Sequence, residues 1–181
     1  MIARKPEVVV DPTLLLTAEE WDEVIEEPKN LAKKKYILTY FLGKYSKQRR
    51  KYIKDFAKKN DFEIVDLGQP RAKKYYCAGP GEFLFFIKNC EMFITDSFHG
   101  AVFSIIYKRP FYVMNREDEN KSMNSRIETL LGKFNLKDRM IENYSKELDL
   151  HCDLKDVDSI LKMEREKSKT FLENAILNLN N

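Results

Sequence analysis

The segment Asp96-Ser97-Phe98-His99-Gly100 gathers a carboxylate, a hydroxyl, an imidazole and a glycine in five consecutive positions. His99 is one of only two histidines, so the ring is not part of a general histidine background. The residues before it, EMFITD (91–96), read as a short apolar strand, and those after it, HGAVFSIIYK, as a nearly all-apolar helix. Asp96 and Ser97 both have the side chains of helix N-caps, which puts His99 in the first helical turn. Unpaired backbone N–H groups and the positive end of the helix dipole collect there, and Gly100 leaves the backbone uncovered. Free amides, a hydroxyl and a proton-donating ring together suit a phosphate or carboxylate ligand. A capped strand–helix junction with the ring packed locally meets the same spacing.

Three other places carry charge or backbone donors at equivalent positions. In GPGEF (79–83), Gly79 and Gly81 permit a close turn into a helix, and Glu82 is placed either to accept hydrogen bonds from a hydroxylated ligand or to stabilise the helix dipole. Arg116 follows the apolar run PFYVMN (110–115) directly, and Arg126 opens the next helical pattern. Either guanidinium has the fork that matches a carboxylate or phosphate. The run KQRRK (47–51) reads as a solvated helix face, and His151 has no evident partner.

Positioning these residues requires a regular frame, and the chain alternates short apolar runs with helical stripes. KYILTYFL (35–42), FEIVDLG (62–68), EMFITD and PFYVMN read as strands, with DRMIE as a short fifth. Between them, 46–60 places Tyr52, Ile53, Phe56 and Ala57 on one face, with Ser46 and Asn60 as its ends. The helix opening at GPGEF buries Phe83, Leu84, Phe86 and Ile87. The SRIETLLGKF stripe has Ser125 and Glu128 at capping-box spacing. Strands separated by single helices imply parallel pairing through right-handed crossovers, hence an α/β doubly wound sheet. Ligands of such sheets lie beyond the carboxyl ends of the strands, where His99, Arg116 and the GPGEF turn all fall.

The ends are of a different kind. Residues 1–30 hold a short strand and a helix start in which Thr17 and Glu20 have capping-box spacing and Leu16 and Trp21 that of a hydrophobic staple. Residues 31–150 contain the alternating frame, and 151–181 are one long helix with a polar middle, MEREKSK. In that helix, Val157, Ile160 and Leu161 are set to dock at one end, and Phe171, Leu172 and Ile176 at the other.

Composition bounds the function. With 43% hydrophobic and 34% charged residues in 181, the chain has the make-up of a soluble domain, and no apolar run approaches the roughly 20 residues of a membrane span. A net charge of +3 from 32 basic and 29 acidic residues gives no footprint for nucleic acid. Cys77, Cys90 and Cys152 lack CxxC spacing, which fits reduced thiols in a cytoplasm and calls for no metal or cofactor.

The segment FITDSFHGAVFSIIYKRPFYVMNR closely resembles the strand–helix–strand core of the polysaccharide pyruvyl transferase family, and DPTLLL, YILTYFLG, GPGEFLFFIKNC and SRIETLLGKFNLKDR extend the resemblance over most of 7–142. The resemblance implies two Rossmann-like domains facing a cleft, as in GT-B glycosyltransferases. This chain would then be the carboxyl-terminal, donor-binding half, and 1–30 a linker remnant. It implies transfer of the enolpyruvyl unit of phosphoenolpyruvate, or another anionic donor, to a sugar acceptor in cell-surface polysaccharide synthesis. On that reading His99 is the general acid, Ser97 and the amides of Phe98, His99 and Gly100 hold phosphate, and Arg116 or Arg126 holds the carboxylate. The family motif carries arginine where Phe98 stands, and another at the end of the first strand, where this chain has Phe41, Leu42 and Gly43. Two alternatives remain open on the sequence. One is a GT-B-like half using a nucleotide sugar; the other is a non-catalytic half that pairs with a separate amino-terminal domain. An apolar face uncovered by that domain would favour a homo-oligomer.

Overall fold

Five short strands pair in parallel in the computed structural model, which describes residues 7–70, 74–117 and 124–179. They are β1 (Tyr36–Tyr40), β2 (Glu63–Asp66), β3 (Met92–Thr95), β4 (Phe111–Met114) and β5 (Met140–Ile141). The helices are α1 (Ala18–Asp22), α2 (Lys47–Lys59), α3 (Pro80–Asn89), α4 (Phe98–Ile106), α5 (Asn124–Lys133) and α6 (Val157–Leu179). The sheet order is β2-β1-β3-β4-β5, with Leu38 opposite Phe93 and Ile94 opposite Tyr112. This is the Rossmann-like α/β arrangement expected from the alternation of strands and helices.

Period-two side-chain alternation sends the strand residues into two cores. Leu38, Phe93, Phe111 and Val113 pack with α3, α4, α5 and the start of α6. Ile37, Met92, Ile94, Tyr112 and Met114 pack on the other face with Ile53 and Ala57 of α2 and with Leu148. The chain leaves β1 towards β2 on one side and towards β3 on the other. A crevice therefore opens between the carboxyl ends of β1 and β3, where doubly wound sheets bind ligands.

Local signals hold at most helix ends. Ser46 caps α2 by accepting from the Arg49 N–H at 3.2 Å. Thr17 and Glu20 form the full capping box of α1. Leu16 is 39% exposed, while the Trp21 ring meets Phe103 edge-on at 5.0 Å. α5 starts at Asn124, two residues earlier than the capping-box spacing implies, so Ser125 lies inside the helix. Within the polar stretch NREDENKSMNSR (115–126), which reads as a loop after the fourth strand, residues 118–123 lie outside the described residues.

KQRRK is not a uniformly solvated face: Arg49 is 2% exposed. It sits four residues before Ile53 and eight before Ala57, so it belongs to their buried stripe. Its guanidinium reaches the carbonyls of Lys44 and Asn115 and lies 4.7 Å from the Phe41 ring centre. At the far end of the chain, Val157 and Leu161 of α6 are buried as expected, whereas Phe171, Leu172 and Ile176 are 40%, 44% and 60% exposed.

Candidate functional site

Asp96 ends β3 with a carboxylate that is almost fully buried (1% exposed), and its oxygens need donors. They find them in the first strand's loop: Oδ1 accepts from the Leu42 N–H at 2.7 Å and Oδ2 from the Gly43 N–H at 2.9 Å. The residue is thus a clasp between the ends of β1 and β3, and the capping role falls to Ser97. The Ser97 hydroxyl accepts from the Gly100 N–H at 3.2 Å. The amides of Phe98 and His99, the first two of α4, have no intrahelical acceptor.

His99 is raised on this turn with its side chain 53% exposed. It faces a cleft of about 1090 Å³ over the β1/β3 crevice, shared with Ser97, Gly79 and Gly81. Its Nε2 lies 3.8 Å from Asp11 Oδ1, and the other oxygen of Asp11 lies 3.3 Å from Nη2 of Arg126. Asp11 is held in turn by the N–H and hydroxyl of Thr13, at 3.1 and 2.7 Å. The Arg126 guanidinium lies over the Phe98 ring at 4.2 Å, a cation–π contact. Phe98 and Arg126 border a second, smaller groove of about 350 Å³ beside Asp11. Consecutive residues of α4 therefore face two hollows, His99 the cleft and Phe98 the groove, with Asp11 bridging the polar groups above them.

The remaining sequence candidates fall elsewhere or act differently. Glu82 turns back to accept from the Gly79 N–H at 2.8 Å, and it borders a separate hollow near Pro28 and Lys74. Arg116 borders neither the cleft nor the groove, and its buried Nε takes no hydrogen bond among the described residues. Gly100 is buried, and a Cβ there would come within 2.9 Å of Phe93 and 3.0 Å of Thr95. Its bareness serves helix–sheet packing rather than the approach of an anion.

Gly81 is tighter. An added Cβ would lie 2.6 Å from the Val24 carbonyl oxygen and 3.0 Å from the Glu26 amide, both backbone atoms that cannot swing aside. Gly81→Ala is expected to destabilise the fold by about 1–3 kcal/mol. Gly79→Ala, whose Cβ would meet only Glu82 Oε2 at 3.9 Å, is the matched control, and chemical denaturation of the two reads the difference.

The family model for polysaccharide pyruvyl transferase matches residues 1–118. The chain belongs to the polysaccharide pyruvyl transferase family. That match takes in the Asp96 clasp, the His99 turn and the GPGEF turn, and it ends before α5 and Arg126. No curated protein and no solved structure matches the chain. Membership makes the chain one of a family of transferases that modify polysaccharides, which implies a sugar acceptor. Among the described residues no helix is long and apolar enough to cross a membrane, and no cluster of three metal-ligating side chains forms.

Sequence reasoning did not find Asp11, the role of Asp96, or the cleft aromatics Trp21, Tyr40 and Tyr76. No periodicity connects residue 11 with residue 99; only the packing of the DPT turn against α4 does. Asp96 carried a signal, since a carboxylate that follows a buried strand directly must find donors nearby.

Proposed function

We propose that this chain is the donor-binding half of a pyruvyl transferase that moves the enolpyruvyl unit of phosphoenolpyruvate onto two hydroxyls of a sugar. The reading rests on one observation above others: the family's histidine-bearing turn holds a half-exposed ring on the lip of the β1/β3 cleft, next to uncapped amides. In the reaction the enol methylene gains a proton and becomes a methyl group. Two sugar oxygens bond to the former enol carbon, and phosphate leaves. Of the two hydroxyl protons released, one balances the methyl and the other goes to phosphate.

His99 supplies the proton to the methylene or to the departing phosphate. Ser97, which already caps Gly100, and the amides of Phe98 and His99 line the phosphate position. Arg126 holds the donor carboxylate. Its guanidinium on the Phe98 ring places a cation at the position where the family motif carries arginine, though from a different helix. Gly79, Gly81 and Glu82 shape the turn that borders the cleft.

Thermal unfolding tests the donor. Phosphoenolpyruvate at about a hundredfold excess over its Kd stabilises the native state by about 2.7 kcal/mol, roughly 5–10 °C for a chain of this size. Arg126→Ala is expected to remove most of that shift. Stabilisation by nucleotide sugars and none by phosphoenolpyruvate overturns the donor assignment in favour of glycosyl transfer.

A further inference from the structure

Away from Ser97 and His99, the lining of the cleft differs in chemistry from an anion site. Among its described residues there is no lysine or arginine, and besides His99 the one ionisable group other than tyrosine is the Glu26 carboxylate. The walls are aromatic. Tyr40 and Phe83 meet edge-on at 5.3 Å, Trp21 stands against Phe103, and Tyr76 is 47% exposed at the rim. The phenol hydroxyls of Tyr40 and Tyr76 engage no other described residue. A diphosphate or a carboxylate brought here would be desolvated without a counter-charge, against an acidic side chain.

We propose that this cleft binds an uncharged glycosyl ring of the acceptor, while the anionic donor lies towards the amides of α4 and Arg126. A pyranose presents apolar C–H faces that pack on aromatic rings, and hydroxyls that two phenols and a carboxylate can engage. A nucleoside base would also stack on such walls. The phosphates attached to it would then need cations that the described lining does not provide. The assignment rests on reading the site as one of pyruvyl transfer to a sugar, and it puts acceptor and donor on opposite sides of the His99 ring.

The chain provides its own probe. Trp21 is the single tryptophan, and its indole N–H is fixed on the Thr13 carbonyl at 3.0 Å, so its emission reports on the cleft. Titration with methyl hexosides and short neutral oligosaccharides, using selective indole excitation, is expected to change that emission saturably. Tyr76→Ala should weaken the binding roughly fivefold to tenfold, because it removes an exposed stacking face without touching the core. Nucleosides that saturate the signal where neutral sugars do not, or sugars that bind Tyr76→Ala as tightly as the parent, overturn the proposal. Thermal stabilisation by phosphoenolpyruvate separates the two readings. If it persists while sugars fail to bind, only the cleft assignment falls. If sugars bind and phosphoenolpyruvate does not stabilise, the cleft assignment stands and the donor reading falls.

Discussion

His99→Ala is expected to lower phosphate release from phosphoenolpyruvate by about 10²–10⁴-fold in the enzyme reconstituted with its other half and given a sugar acceptor. The enol methylene is a poor base, and in the variant it must take its proton from water. The fold has little reason to suffer. The ring is half exposed, among the described residues its one close ring neighbour is Phe98 at 5.5 Å, and the cap of α4 is made by Ser97 and Gly100. Alanine also favours the first turn of a helix at least as well as histidine does. A wild-type melting temperature with lost turnover is therefore the expected pair of results. Unchanged turnover with an intact fold removes His99 from the chemistry. Ser97→Ala offers a contrast: it sacrifices the cap and is expected to cost about 1 kcal/mol of stability.

The sheet was legible because its inner strands are buried on both sides and most of its helices carry an apolar stripe, so most elements have their own period. Even DRMIE, only two residues of which pair, stood out as an apolar interruption after a helix stop. The turn around His99 was legible for the same reason: an apolar strand, a cap residue and an apolar helix leave one place for it. What surrounds the ring was not legible. Asp11, Trp21, Tyr76 and Arg126 come from four separate segments, and the folded sheet alone brings them to one edge. Glycines misled in an instructive way. Gly100 read as an opening for a ligand and Gly81 as part of a close turn, but at both positions the space is filled by the protein itself, by Phe93 with Thr95 and by the Val24–Glu26 backbone. Arg49 was misread because charge was weighed above position on the helix, where its spacing from Ile53 and Ala57 placed it inside.

That buried arginine carries the largest expected effect on stability. Arg49 ties the loop after β1 to the loop after β4, through the carbonyls of Lys44 and Asn115, and it shares the Tyr144 hydroxyl with Glu117. Glu117 in turn accepts from the N–H and hydroxyl of Ser46, at 3.1 and 2.8 Å, so that α2's cap depends on the same cluster. Arg49→Met keeps much of the volume but strands these acceptors, and it is expected to cost about 3 kcal/mol or more in chemical denaturation. Adding Glu117→Gln should cost less than the sum of the two single changes, because the carboxylate left behind is then no longer charged.

Acid provides a further check. Burial pushes the Glu117 carboxyl up, but Tyr144, Ser46 and Arg49 together hold it below its ordinary value of 4.5. A carboxylate lowered in the folded state binds fewer protons there than in the unfolded chain, so stability falls as pH drops. The contribution is complete above pH 4.5 and drains away as pH passes down through the folded value. Without the guanidinium less of that lowering remains, so Arg49→Met should lose stability less steeply below pH 4.5 than the parent. Equal acid slopes in the two proteins would show that Arg49 acts on these loops through its carbonyl contacts alone, with no share in holding the carboxylate.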